Sequence, residues 1–153
     1  MIAVSYETAR KRKNHWTNFL KSYEKKGKME YDIKTTEYFE GNFKRLSKKY
    51  HSLLDDIEQF KKELLKNPTA GDDLGDNTRK ARMAIASKNK GKKGGARVIT
   101  CSVLVNVMNT KIYLLAIYDK GEQKSISKQE IRYLKEINGL LKFFTVAEIG
   151  CSY

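Results

Sequence analysis

Two cysteines, two histidines and one proline are all that this 153-residue chain holds of those types. Each scarcity removes a kind of chemistry. Cys101 and Cys151 have no metal-ligand spacing, and a chain of this length can bury a core without disulfides or metal. Cys101 lies in an apolar run and is expected in the core; Cys151, near the end, carries no readable signal. His15 and His51 stand apart among helical charges and read as surface residues rather than ligands. No G-x-x-x-x-G-K-[ST] phosphate loop and no G-x-S-x-G elbow occurs. No run approaches the roughly 20 apolar residues that span a bilayer, and the first residues lack the apolar stretch of a secretory signal. No internal repeat is evident. The expectation is a cytoplasmic protein without a membrane partner and without a cofactor or bound metal.

What the chain has in excess is positive charge. Thirty-one Lys and Arg against 18 Asp and Glu leave a net charge of +13, which favours an acidic partner such as nucleic acid. The hydrophobic fraction of 40% suits a folded domain, and the charged 32% is spread along the sequence. Residues 1–28 contribute +6 of the net charge. Trp16, Phe19, Leu20 and Tyr23 there fall at i, i+3, i+4 and i+7, a stripe on a basic helical extension that Gly27 would stop. Met29 opens the main domain, residues 29–144, and a tail of residues 145–153 follows.

Within the main domain, residues 30–34 read as a short strand. Thr35 or Thr36 then caps a helix carrying Phe39, Phe43, Leu46 and Tyr50. Ser52 starts a second helix, with Asp55 and Asp56 near its positive end and Leu53, Ile57, Phe60 and Leu64 on one face. Asn67 before Pro68 ends it. Residues 69–77 read as a loop. Strands follow over residues 78–87, 97–108 and 111–119, with Asn109-Thr110 as the turn between the last two. The first places Ala81, Met83 and Ile85 on one face and Lys80 and Arg82 on the other. The second places Ile99, Cys101, Val103, Val105 and Val107 on an apolar face and Thr100, Ser102 and Asn106 on a wetter one. Ser127 and Glu130 form a capping box for a last helix with Ile131, Leu134, Ile137 and Leu141. The expected class is α+β: a helical hairpin laid on a mostly antiparallel sheet, with a C-terminal helix.

The candidate site is the strand–loop–strand over residues 79–100, which holds eight Lys and Arg and no acid. Arg79, Lys80 and Arg82 lie on one strand, Lys88, Lys90, Lys92 and Lys93 on the loop, and Arg97 starts the next strand. Glycines 91, 94 and 95 give that loop an anion-friendly backbone. Arg82 and Arg97 could converge across adjacent strands. Arg97 shares the parity of Ile99, so convergence is expected to need a bulge beside Gly94-Gly95. Lys120, after the neighbouring strand, could join them. Such a cluster binds phosphate and could stabilise the charge that develops when a ribose 2′-hydroxyl attacks it. The plainer alternative is a solvated basic face.

Four segments carry a resemblance over residues 31–141. They are Tyr31-Asp32-Ile33-Lys34-Thr35-Thr36, Leu74-Gly75-Asp76-Asn77-Thr78-Arg79-Lys80-Ala81-Arg82, the loop ending in Gly94-Gly95-Ala96-Arg97-Val98-Ile99, and Tyr113-Leu114-Leu115-Ala116-Ile117-Tyr118-Asp119-Lys120. In these the chain resembles the RelE/HigB-like toxins of bacterial type II toxin–antitoxin modules. The resemblance implies a RelE-like microbial RNase fold, two N-terminal helices packed on a mostly antiparallel twisted sheet. It implies ribosome-dependent cleavage of mRNA without a metal, and neutralisation by a cognate antitoxin. Arg97, Arg82 and Lys120 take the catalytic positions by that likeness; Arg79 and Lys80 hold RNA phosphate, and Lys88, Lys90, Lys92 and Lys93 face ribosomal RNA. The stacking Tyr of such toxins has no counterpart in residues 122–126, so the general base is left unassigned; Tyr118 is a weaker substitute. Two other readings stay open: a ParE-like inhibitor of DNA gyrase with the same fold, and a non-catalytic RNA- or ribosome-binding protein.

Overall fold

Residues 30–106 and 108–141 are described by a computed structural model. The expectations for residues 1–28, for Val107 and for the tail lie outside them. The elements run β1 (Glu30–Thr35), α1 (Glu37–Lys49), α2 (Leu53–Lys66), β2 (Asp72–Gly75), β3 (Thr78–Met83), a 3-10 turn (Ala86–Lys88), β4 (Ala96–Leu104), β5 (Asn109–Asp119) and α3 (Lys128–Ile137). The class is α+β. One sheet has the order β1-β5-β4-β3-β2 and is mixed; its β2–β3, β3–β4 and β4–β5 pairings are antiparallel.

Of the two threonines, Thr36 caps α1. Its hydroxyl oxygen accepts from the Phe39 amide at 3.2 Å and its proton goes to the Leu115 carbonyl at 3.0 Å. That second bond ties the helix start to β5. Spacings of three and four then put Phe39 and Leu46 of α1, and Leu53, Ile57, Phe60 and Leu64 of α2, in one core with Ala81, Met83, Ala96, Val98, Ile112, Leu114 and Ile117 of the sheet. A second core gathers Ile99, Cys101, Val103, Leu115, Ala116 and Tyr118 with Ile131 and Leu134 of α3 and Leu140 beyond it. The central strands are therefore covered on both faces, and Thr100, expected on a wet face, is buried. A full burial is worth about 1.5–3 kcal/mol for each such Leu, Ile or Phe, so the two cores dominate stability.

Several boundaries differ from the sequence reading. Residues 69–77 are not all loop, because Asp72–Gly75 pairs with β3 across a turn in which Asp76 and Asn77 have φ of 51° and 57°. Two consecutive left-handed residues make a tight hairpin turn. The strand itself is exposed throughout and has no apolar alternation to betray it. Asn109-Thr110 is not the turn but the start of β5, and β4 ends at Leu104; the Asn106 side-chain oxygen accepts from the Met108 and Asn109 amides between them. α3 ends at Ile137, which is exposed, and Leu140 fills the core position instead. A bulge does occur, but on β5. Ile99 faces Ala116 while Thr100 faces Leu114, so Leu115 is the extra residue. Leu115 and Ala116 consequently serve the same core.

Gly95 has no room for a side chain: a Cβ there would lie 2.1 Å from the Met83 carbonyl oxygen, whereas one on Gly41, within α1, would meet nothing within 4 Å. Gly95→Ala is expected to lower stability by about 1–3 kcal/mol. Gly41→Ala should raise it by up to about 1 kcal/mol through helix propensity. Urea denaturation of the two variants checks both signs.

Candidate nucleic-acid interface

The register of the sheet builds a row. Arg82 of β3 stands directly opposite Arg97 of β4, and Arg97 stands directly opposite Tyr118 of β5. Residues opposite one another in an antiparallel pair point to the same face, so the two arginines converge without a bulge beside Gly94-Gly95. Lys80, two residues before Arg82, shares the face. Lys120 follows β5, its amide donating to the Gly95 carbonyl at 3.2 Å. Charges of one sign surround Lys120: Arg97 first, then slight desolvation, then Arg82, Lys93 and Lys80 all depress its pKa below the usual lysine value. Among the described residues, no carboxylate forms an ion pair with Lys80, Arg82, Lys93, Arg97 or Lys120.

Arg97 is the only member of this set that is fully enclosed, at 5% exposure. Its guanidinium donates to the Lys92 and Ala96 carbonyls at 3.1 Å and to the Lys93 carbonyl at 3.0 Å. These three bonds use backbone dipoles and leave its charge unneutralised; of five guanidinium N–H groups, about two stay available. Wrapping the chain around the guanidinium needs close approach. A Cβ on Gly94 would lie 2.6 Å from the Lys90 Cβ, so the loop is closely packed at this position. Beside Arg97, the Tyr118 hydroxyl is buried and has no hydrogen-bond partner among the described residues. Burial pushes this phenol up and Arg97 partly offsets that. An unsatisfied buried hydroxyl costs about 1–3 kcal/mol, and this one lies opposite the enclosed Arg97.

Other expected residues are held elsewhere. Arg79 has the opposite parity to Arg82; it donates to the Thr69 carbonyl at 3.0 Å and lies 3.8 Å from Asp73. Lys92 pairs with Glu63 of α2 at 2.9 Å. Lys88 turns inward to Asp119 at 2.6 Å. Lys90 and Lys93 stay exposed on the loop. Sequence reasoning missed the Asp119 centre entirely. Its carboxylate also accepts from the Tyr50 hydroxyl at 2.5 Å and the Gly121 amide at 2.9 Å. Burial alone would push this carboxyl up, but Lys88, Tyr50 and Gly121 together hold it down at about 2. The available signal was an acid closing an apolar strand: a buried carboxylate demands a cation.

Among the described residues no three His, Cys, Asp or Glu side chains converge as a metal site, and no helix is long and apolar enough to cross a membrane. No family model matches the chain.

Asp119→Asn should strand Lys88 in the interior and lower stability by about 3–5 kcal/mol near neutral pH. Because the folded pKa is depressed, the contribution is complete above the unfolded value near 4 and is lost as pH falls through about 2. Urea midpoints of wild type and variant should therefore converge as the solution is acidified through that window.

Proposed function

We propose that the protein is a ribosome-dependent mRNA endonuclease of the RelE/HigB-like toxin class, neutralised by a cognate antitoxin. The observation that carries this reading is the row Arg82–Arg97–Tyr118 with Lys120 beside it, a set of like charges without a carboxylate among them. A phosphodiester supplies the missing anion. The two-faced sheet, with α1 and α2 on one side and α3 on the other, agrees with the RelE-like fold of that class, and the +13 charge suits a ribosomal RNA environment.

In this reading the mRNA phosphate sits at Arg97 and Arg82, and the 2′-hydroxyl of the preceding ribose attacks its phosphorus as its proton passes to solvent water, no side chain being assigned as the base. The bond to the 5′ oxygen of the next nucleotide breaks, leaving a 2′,3′-cyclic phosphate and a 5′-hydroxyl. The arginines stabilise the extra negative charge of the pentacoordinate state. Lys120 is the acid. An ammonium crowded by cations releases its proton more readily than an ordinary lysine, and the departing 5′ oxygen needs one. The Tyr118 hydroxyl, with no partner of its own, would hydrogen-bond a phosphate oxygen or the 2′-hydroxyl.

Translation in vitro followed by primer extension, with and without ribosomes, tests this. Wild type should produce codon-phased cuts only with ribosomes. Arg82 and Lys120 are exposed, so Arg82→Ala and Lys120→Ala should fold normally and cut about 10²–10³-fold more slowly. Arg97→Lys keeps the charge but loses the fork that grips three carbonyls, and a thermal melt alongside separates lost activity from lost structure. Undiminished cleavage by Lys120→Ala would remove this site. On induction in cells, intact mRNA with a DNA-damage response would favour gyrase inhibition, and ribosome binding with intact mRNA a non-catalytic binder.

The acid role has a pH signature. Cleavage should decline as pH rises through the depressed Lys120 pKa. Arg82→Gln removes one of the charges that depress it, so in that variant the alkaline limb should move to higher pH while the maximal rate falls. A pH–rate profile of both proteins reads the shift.

A further inference from the structure

A groove of about 570 Å³ runs between α3 and the β2–β3 hairpin, and the site described above leaves it unused. Its aliphatic surface includes Leu74, Ile126 and Ile131; four cations, Lys80, Lys128, Arg132 and Lys135, line it against one acid, Asp76. Lys128 and Arg132 are exposed, lie one turn apart on α3 and form no ion pair among the described residues. The wall is fixed from beneath. Lys135 donates at 3.0 Å both to the Asp76 carbonyl and to the Thr78 hydroxyl, bonding α3 to the hairpin turn and the first residue of β3.

Lys80 belongs to both places. It is among the charges that depress Lys120, and it lines the groove. Cations therefore outnumber acids along a line from Lys120 through Arg97, Arg82 and Lys80 to Arg132 and Lys128, where Asp72, opposite Lys80, and Asp76, in the groove lining, are the acids beside it. We propose that this groove holds the single-stranded RNA flanking the phosphate bound at the Arg82–Arg97 row, an inference that rests on the RNA reading of that row. Lys80, Lys128 and Arg132 take successive phosphates, and Leu74, Ile126 and Ile131 pack against ribose and base faces. Aliphatic contacts do not read base edges, so recognition here is sequence-tolerant. The continuity of cations favours a regularly charged polymer over an acidic polypeptide, whose carboxylates would need to match a line extending beyond the groove.

The test is fluorescence anisotropy with a short labelled oligonucleotide of 2′-deoxy sugars, which cannot undergo the proposed cleavage, titrated across salt concentrations. Two double variants remove the same net charge: Lys128→Gln with Arg132→Gln in the groove, and Lys44→Gln with Lys48→Gln on the exposed side of α1. For single strands each lost phosphate contact reduces the slope of log affinity against log salt by about 0.7. The groove variant should therefore lose about 1.4 of slope, by the same rule for two contacts, and the α1 variant much less. Equal slopes in the two variants would overturn the proposal. So would a groove variant that loses binding to poly-L-glutamate yet keeps the wild-type oligonucleotide slope, which would assign the groove to an acidic polypeptide. The outcome is separable from the catalytic reading: a groove-specific slope with no ribosome-dependent cleavage sinks the endonuclease and leaves the groove, and cleavage with equal slopes does the reverse.

Discussion

The arrangement depends on one buried carboxylate, Asp119 at the end of β5. Removing a charge from water is costly unless it is matched, and Asp119 is matched by groups from three separate segments: Tyr50 after α1, Lys88 in the 3-10 turn and Gly121 in its own turn. Lys49 adds a longer contact at 3.7 Å. Glu122, next in this turn, binds Arg45 at 3.0 Å and Lys49 at 2.8 Å. The end of β5 is thereby clamped to α1, and the segment that leads into the lysine loop is clamped to β5. These bonds add a polar clamp at the end of β5 to the apolar packing by which α1 and β5 already share the first core.

The clamp also sorts charge. Acids at the end of β5 turn toward α1, where they take up Lys49, Arg45 and Lys88. Lys120 lies between Asp119 and Glu122 in sequence yet belongs to the cluster with Arg97, Arg82, Lys93 and Lys80. The nearest acids in the chain are occupied elsewhere, so the cations remain uncompensated. Arg97 extends the same logic into the interior. A carboxylate partner would cancel its charge, whereas three carbonyls solvate the guanidinium and preserve it. The loop beside it is closely packed, Gly94 against Lys90 and Gly95 against the Met83 carbonyl.

Much of this was legible in the sequence. Helical spacing identified the α1, α2 and α3 faces, apart from the exchange of Ile137 for Leu140. The capping box at Ser127 and Glu130 is present, and Cys101 is buried and free. The alternation of β3 placed Lys80 and Arg82 on one face. What sequence alone could not supply was register, because alternation fixes the face of a residue but not its partner. Hence Arg82 opposite Arg97 was expected to require a bulge, while the actual bulge, at Leu115, lay hidden in a strand apolar on both parities. β2 was missed because its hairpin rests on turn geometry rather than burial. The loop lysines were read as equivalent, yet Lys88 and Lys92 are paired while Lys90 and Lys93 form no ion pair among the described residues, a distinction made by tertiary contacts.

One parity of the sheet carries a gradient. From the loop end, β4 presents Arg97, Ile99, Cys101 and Val103 to the α3 side, and β3 presents Arg82, Lys80 and Thr78 in the same direction. Charge sits where α3 leaves the sheet uncovered, and apolar or hydroxyl groups sit where it packs. The order could not be reversed, since an arginine in place of Val103 would lie in a core with no carbonyl cage to receive it, whereas Arg97 has the Lys92, Lys93 and Ala96 carbonyls within reach. α3 therefore does two jobs through one docking: its inner face completes the second core, and its exposed Lys128 and Arg132 extend the cationic edge. The site straddles the margin of the second core: Tyr118 belongs to that core and Arg97 is buried beside it, while Arg82 and Lys120 are exposed, so its position follows from the packing as much as from the basic residues themselves.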